Sequence, residues 1–109
     1  MSTFRAVIQA TRGPFLLLTP VCIFLGASTV VAAGGLIDPY HLLLALAGGL
    51  LAHISVNTLN EYDDFRSGLD MATARTPFSG GSGALPARPQ ALNAVFATGV
   101  FSLTACLLI

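Results

Sequence analysis

Residues 53–64 read His53-Ile54-Ser55-Val56-Asn57-Thr58-Leu59-Asn60-Glu61-Tyr62-Asp63-Asp64, and they close an apolar run that begins at Leu42. His53, Asn57, Asn60 and Asp64 recur every three or four residues, and Glu61 follows Asn57 by four. On a helix this spacing gathers the five side chains into one stripe. Ile54, Val56 and Leu59 cover the opposite face. Polar groups in a membrane helix are costly and usually mark a site or a pathway. The stripe therefore predicts a polar cavity at one end of a membrane helix.

The rest of the chain agrees with a membrane setting. Of 109 residues, 54% are apolar and 9% charged, with a mean hydropathy of +0.78. Soluble domains carry roughly 25% charged residues. The net charge is zero, which argues against a nucleic-acid partner. Cys22 and Cys106 lie inside apolar runs and read as buried free thiols.

Three apolar blocks predict an all-α integral membrane bundle with helices at about 14–34, 41–62 and 90–109. A spanning helix needs about 20 residues, and each block reaches that length. The first block extends from Pro14 to Ile37. That exceeds the roughly 7–15 residues of a signal-peptide core, so it reads as a retained span. Pro20 is a candidate kink. Gly34-Gly35 and Asp38-Pro39 mark a short turn, and Gly48-Gly49 suits close helix contact. A polar loop fills 63–89. All five basic residues are Arg, and they sit on the N-terminal lead or at Arg66, Arg75 and Arg88. The positive-inside rule places both segments in the cytoplasm and the protein in the cell membrane, multi-pass.

The acidic residues at the helix end suggest a metal. Carboxylate and amide oxygens are hard ligands that suit Mg²⁺, which commonly pairs one or two carboxylates with substrate phosphates. Asn60 and Asp64 lie one turn apart. Asp70 follows Gly68, which lets the chain curl back. Arg75 and Gly80-Gly81-Ser82-Gly83 behind it are placed to meet phosphate oxygens, which a guanidinium binds in pairs. A solvated loop explains Asp63 and Asp64 equally well, but His53 and Asn57 lie too deep for it. His53 alone reads more readily as a helix–helix hydrogen-bond partner.

The run from Asn57 to Asp70 resembles the first aspartate-rich motif of the UbiA-type membrane prenyltransferases, in its 1,4-dihydroxy-2-naphthoate or menaquinone branch. Asn60, Asp64 and Asp70 match the Asn and two acids of that motif, and Glu61 stands where Asp is usual. The segment 76–81 has no basic residue where the family often has one. The resemblance implies a bundle of roughly nine helices with its site in the core, of which residues 1–109 would be the N-terminal three-helix part. It implies that Asn60, Asp64 and Asp70 are catalytic and bind Mg²⁺ with a polyprenyl diphosphate. It places Asn57, Glu61, Arg75 and His53 around the substrate. The implied reaction transfers the prenyl group to an aromatic or other electron-rich acceptor. A second acidic motif lies later in such chains, so the fragment alone is expected to be inactive. Two other readings use the same residues: a small oligomeric membrane protein with a cation-binding stripe, or a membrane anchor.

Overall fold

The computed structural model describes every residue except Thr73 and 77–79, together with the side chain of Asp70. The fold is all-α. The elements are α1 (Thr3–Ala10), α2 (Gly13–Leu16), α3 (Leu18–Ala32), α4 (Pro39–Ser67), α5 (Leu69–Ala72), α6 (Ala84–Ala87), a 3₁₀ turn (Pro89–Ala91) and α7 (Leu92–Leu108). Three helical stretches, Thr3–Ala32, Pro39–Ser67 and Pro89–Leu108, are long and apolar enough to cross a membrane. They suggest a multi-pass membrane protein.

The boundaries differ from the sequence expectation for local reasons. The N-terminal lead is helical from Thr3. Ser2 caps it, its Oγ accepting a hydrogen bond from the Arg5 N–H at 3.2 Å, which satisfies one of the orphan donors of a helix start. Arg12 interrupts the helix in the left-handed conformation, at φ 55° and ψ 56°. Pro20 falls in the first turn of α3. Its missing N–H is tolerated there, and the helical stretch is interrupted at Leu17, three residues before it. The second helix runs five residues past the expected Tyr62, to Ser67. Gly68 ends it at φ 81°, a conformation glycine adopts without steric cost. Asp63 and Asp64 thus belong to the helix and not to a loop. At the other end Asp38 caps α4, one carboxylate oxygen accepting from the Tyr40 N–H at 2.8 Å.

Helix α4 has 29 residues, about 43 Å at 1.5 Å per residue. A hydrocarbon layer of about 30 Å uses roughly twenty of them. Counted from Pro39, the remainder begins near Leu59 and carries Asn60, Glu61 and Asp64. The core lies at this end. Ala6 and Ala10 of α1, Ala84 and Leu85 of α6, Ala91 and Val95 are fully buried together, with Tyr62 and Phe65 of α4 against them. The spans themselves show large apolar side chains outward. Phe24, Leu25, Leu43 and Phe101 are all exposed, as lipid-facing surfaces require.

Small residues set the helix spacing. A Cβ on Gly99 of α7 would lie 2.7 Å from Leu59 Cγ and 2.9 Å from Thr58 Oγ1 of α4. Gly99→Val is therefore expected to force α4 and α7 apart and lose about 1–3 kcal/mol. Thermal unfolding in detergent micelles would read this, and an unchanged midpoint would count against the close approach. Gly49 does the same for α3, where a Cβ would meet Ile23 and Thr19 at 2.9 Å. Gly49 is thus used within the chain.

Candidate functional site

The polar stripe of α4 divides into two sets. His53, Asn57 and Glu61, each four residues apart, face the N-terminal elements and the glycine-rich loop. The His53 ring Nδ1 lies 2.8 Å from Thr19 Oγ1 of α3. Asn57 Nδ2 donates to the Thr11 carbonyl at 2.8 Å. That carbonyl lies at the end of α1, where helix oxygens lack intrahelical donors. Glu61 is 2% exposed. Its Oε1 accepts from the Ser82 N–H at 2.7 Å and its Oε2 accepts from Ser82 Oγ at 2.8 Å. Ser82 Oγ also accepts from the Ala84 N–H at 3.2 Å. Gln9 Nε2 holds the same loop from α1, donating to the Ser82 carbonyl at 2.7 Å.

Asn60 and Asp64 form the other set. Asn60 is exposed and Asp64 half-buried. Neither side chain has a hydrogen-bond or ion-pair partner among the described residues. They lie one turn apart, at the C-terminal end of α4. Asp70, the third expected ligand, has its side chain outside the described residues. Among the described residues no three His, Cys, Asp or Glu side chains cluster as a metal site would. What the structure brings together at this end is the Asn60–Asp64 pair of oxygen donors.

Arg75 is exposed and folds across the loop. Its guanidinium lies against the backbone of Gly83, where any Cβ would overlap it. A Cβ on Gly80 would come within 2.8 Å of Arg75 Cα. Gly80 and Gly83 both have positive φ, at 84° and 79°. Glycine at these positions therefore serves shape as well as space. Arg75 thus packs against the glycine-rich loop at Gly80 and Gly83. The partners of the stripe are new: Thr11, Thr19 and Ser82 carry no spacing signal that links them to α4.

A cavity of about 420 Å³ lies beside this loop, between Ser82 and the α1–α2 junction. Arg12 lines it, with its guanidinium 4.6 Å above the Phe15 ring. In comparisons with known proteins the chain matches no family model, no curated sequence and no solved structure.

Proposed function

We propose that the chain supplies one Mg²⁺-diphosphate-binding half of a membrane prenyltransferase, in the manner of the UbiA-type enzymes. One observation carries the reading. Of five polar side chains on the α4 stripe, three are satisfied inside the protein and two, Asn60 and Asp64, are left free at its C-terminal end. An amide oxygen and a carboxylate one helical turn apart, neither engaged by another side chain, are free to take a hard cation.

The donor set fits the metal. An amide and a carboxylate oxygen one turn apart are hard ligands, and Mg²⁺ completes its shell from substrate phosphates and water. When bound, Mg²⁺ would neutralise charge on the departing diphosphate and ease ionisation of the allylic C–O bond. The residues of the chain do the rest by position. Asn60 and Asp64 would hold the metal-bound head group at the end of α4. Asp70 is the third donor of the motif. The Glu61–Ser82 pair fixes the glycine-rich loop, and Arg75 lies across that loop as the available cation. The neighbouring apolar helices would accept the prenyl chain; the acceptor would form its new bond to the allylic carbon as diphosphate leaves, and its displaced proton would pass to the released diphosphate or to water. The Arg residues of the lead and loop support a cytoplasmic position for this end under the positive-inside rule.

The test is binding of geranyl diphosphate to the chain in lipid nanodiscs, with Mg²⁺ and with excess EDTA. Binding that appears with Mg²⁺ and vanishes with EDTA is expected. Binding indifferent to the metal, or none at any Mg²⁺ concentration, would sink the proposal.

A further inference from the structure

Helix α1 has one side inside the fold and one side outside it. Ala6 and Ala10 face inward and are fully buried with Ala84, Leu85, Ala91 and Val95. Phe4 and Ile8, four residues apart, share the opposite side, and they are 74% and 54% exposed. Met1 is exposed next to them. With Arg5 and Gln9 these side chains line an open groove of about 500 Å³ along the helix. Gln9 is already tied to the Ser82 carbonyl. Arg5 is exposed, and no carboxylate pairs with its guanidinium among the described residues.

Large apolar side chains are expected on the lipid-facing sides of spanning helices, but α1 is not needed for a span. A crossing takes about twenty residues, and 13–32 supply that number without it. The left-handed Arg12 interrupts the helix at that point, and α1 packs on α6, the 3₁₀ turn and α7. The charge of this segment is one-sided as well. Residues 1–37 hold two Arg and no acid. The first carboxylate in the chain, Asp38, caps the far end of α4.

We propose that the outer side of α1 seats on the membrane surface and binds an anionic phospholipid. Arg5 takes the phosphate, and Phe4, Ile8 and Met1 lie against the upper part of the acyl chains. Helices of this kind bind by buried apolar area together with attraction to anionic head groups. A guanidinium matches phosphate oxygens with paired hydrogen bonds. With eight residues, α1 offers little apolar area, so the lipid charge decides the affinity. A zwitterionic lipid has the same phosphate but brings an ammonium of its own, which opposes Arg5. A second copy meeting this side about a two-fold axis would bring Arg5 towards Arg5. The inference stands whether or not the chain takes part in prenyl transfer.

The chain has no tryptophan, so Phe4→Trp installs a single reporter on the exposed side of α1. The test places this protein in nanodiscs of mixed phosphatidylcholine and phosphatidylglycerol, with brominated acyl chains on one lipid or on the other at equal fractions. Bromine quenches tryptophan only at close approach, so the ratio of the two quenching constants tells which lipid lies against residue 4. That ratio is expected to favour phosphatidylglycerol by about fivefold, the effect of one basic residue at an anionic surface. Arg5→Gln in the same chain should remove most of the preference, and Arg5→Lys should keep most of it. Phe24→Trp, on the exposed face of α3, is the control and should show none. Equal quenching by both lipids at residue 4 would overturn the proposal, as would a preference undiminished by Arg5→Gln or repeated at residue 24. Quenching by aqueous acrylamide and by neither brominated lipid would put this side of α1 in water, and shielding from all three would give it to a protein partner. Either result overturns the lipid site.

Discussion

Glu61→Ala is expected to destabilise the protein by about 2–3 kcal/mol, because it deletes two hydrogen bonds to a buried charged acceptor. Both carboxylate oxygens are occupied by Ser82, one by its N–H and one by its hydroxyl. Truncation strips the loop of its main attachment to α4 and leaves the Ser82 N–H without a protein acceptor. Glu61→Gln is gentler. The amide oxygen can still accept from the Ser82 N–H, but its NH₂ group cannot accept from the hydroxyl unless Ser82 reverses its role. A loss of about 1 kcal/mol follows. Glu61→Asp shortens the side chain by one methylene and should lie nearer the alanine variant, since neither bond then spans the gap. Limited trypsin digestion separates these cases from a general loss of stability. Arg75 lies in the loop and is exposed, whereas the Arg88–Pro89 bond resists the enzyme. Cleavage after Arg75 should accelerate in the order glutamine, aspartate, alanine while the spans remain intact. Equal cleavage rates in all three variants would mean that Glu61 does not hold the loop.

This pairing also marks where sequence reasoning stops. The helices were legible because twenty-residue apolar runs have few alternatives, and the period of the α4 stripe is a local property. Local spacing places His53, Asn57, Asn60, Glu61 and Asp64 together on one side of a helix. It does not tell which of them meets a partner. Their partners come from Thr11, Thr19 and Ser82. Those residues lie between 21 and 46 positions away in the chain, and no pattern in their own neighbourhoods announces the contact. Glu61 stands where the resembled motif has Asp. With its extra methylene, Glu61 reaches a backbone N–H and a hydroxyl on another segment. The helix ends were misjudged for a related reason. Asp63, Asp64 and Arg66 look like loop by polarity, yet nothing stops the helix until Gly68 supplies the left-handed cap. The amphipathic lead was missed because its buried side is made of alanines, Ala6 and Ala10, which give a weak apolar signal in so short a helix.

Asp64→Asn is expected to weaken Mg²⁺-dependent binding of a prenyl diphosphate by at least about 10-fold, since losing a direct metal ligand should cost no less than losing an outer-shell partner. The substitution keeps the shape and removes the charge that offsets the cation. Because Asp64 has no partner among the described residues, folding stability should stay within about 0.5 kcal/mol. A large loss of binding with no loss of stability separates a ligand from a structural residue. Asp63→Asn is the control. Asp63 carries the same charge one residue earlier and is exposed, but on a helix it points about 100° away. If the acids merely form a charged rim that attracts Mg²⁺, the two substitutions should act alike and both effects should fade as salt screens the surface. If Asp64 is a ligand, only its substitution should matter, and raising Mg²⁺ should recover binding at concentrations far above those needed by the wild type. Asn60→Ala should then fall between the two, because an amide oxygen contributes a dipole where Asp64 contributes a full charge. A flat response across all three variants would remove the metal from this end of α4 and leave its unpaired side chains to an anchor or an oligomer interface.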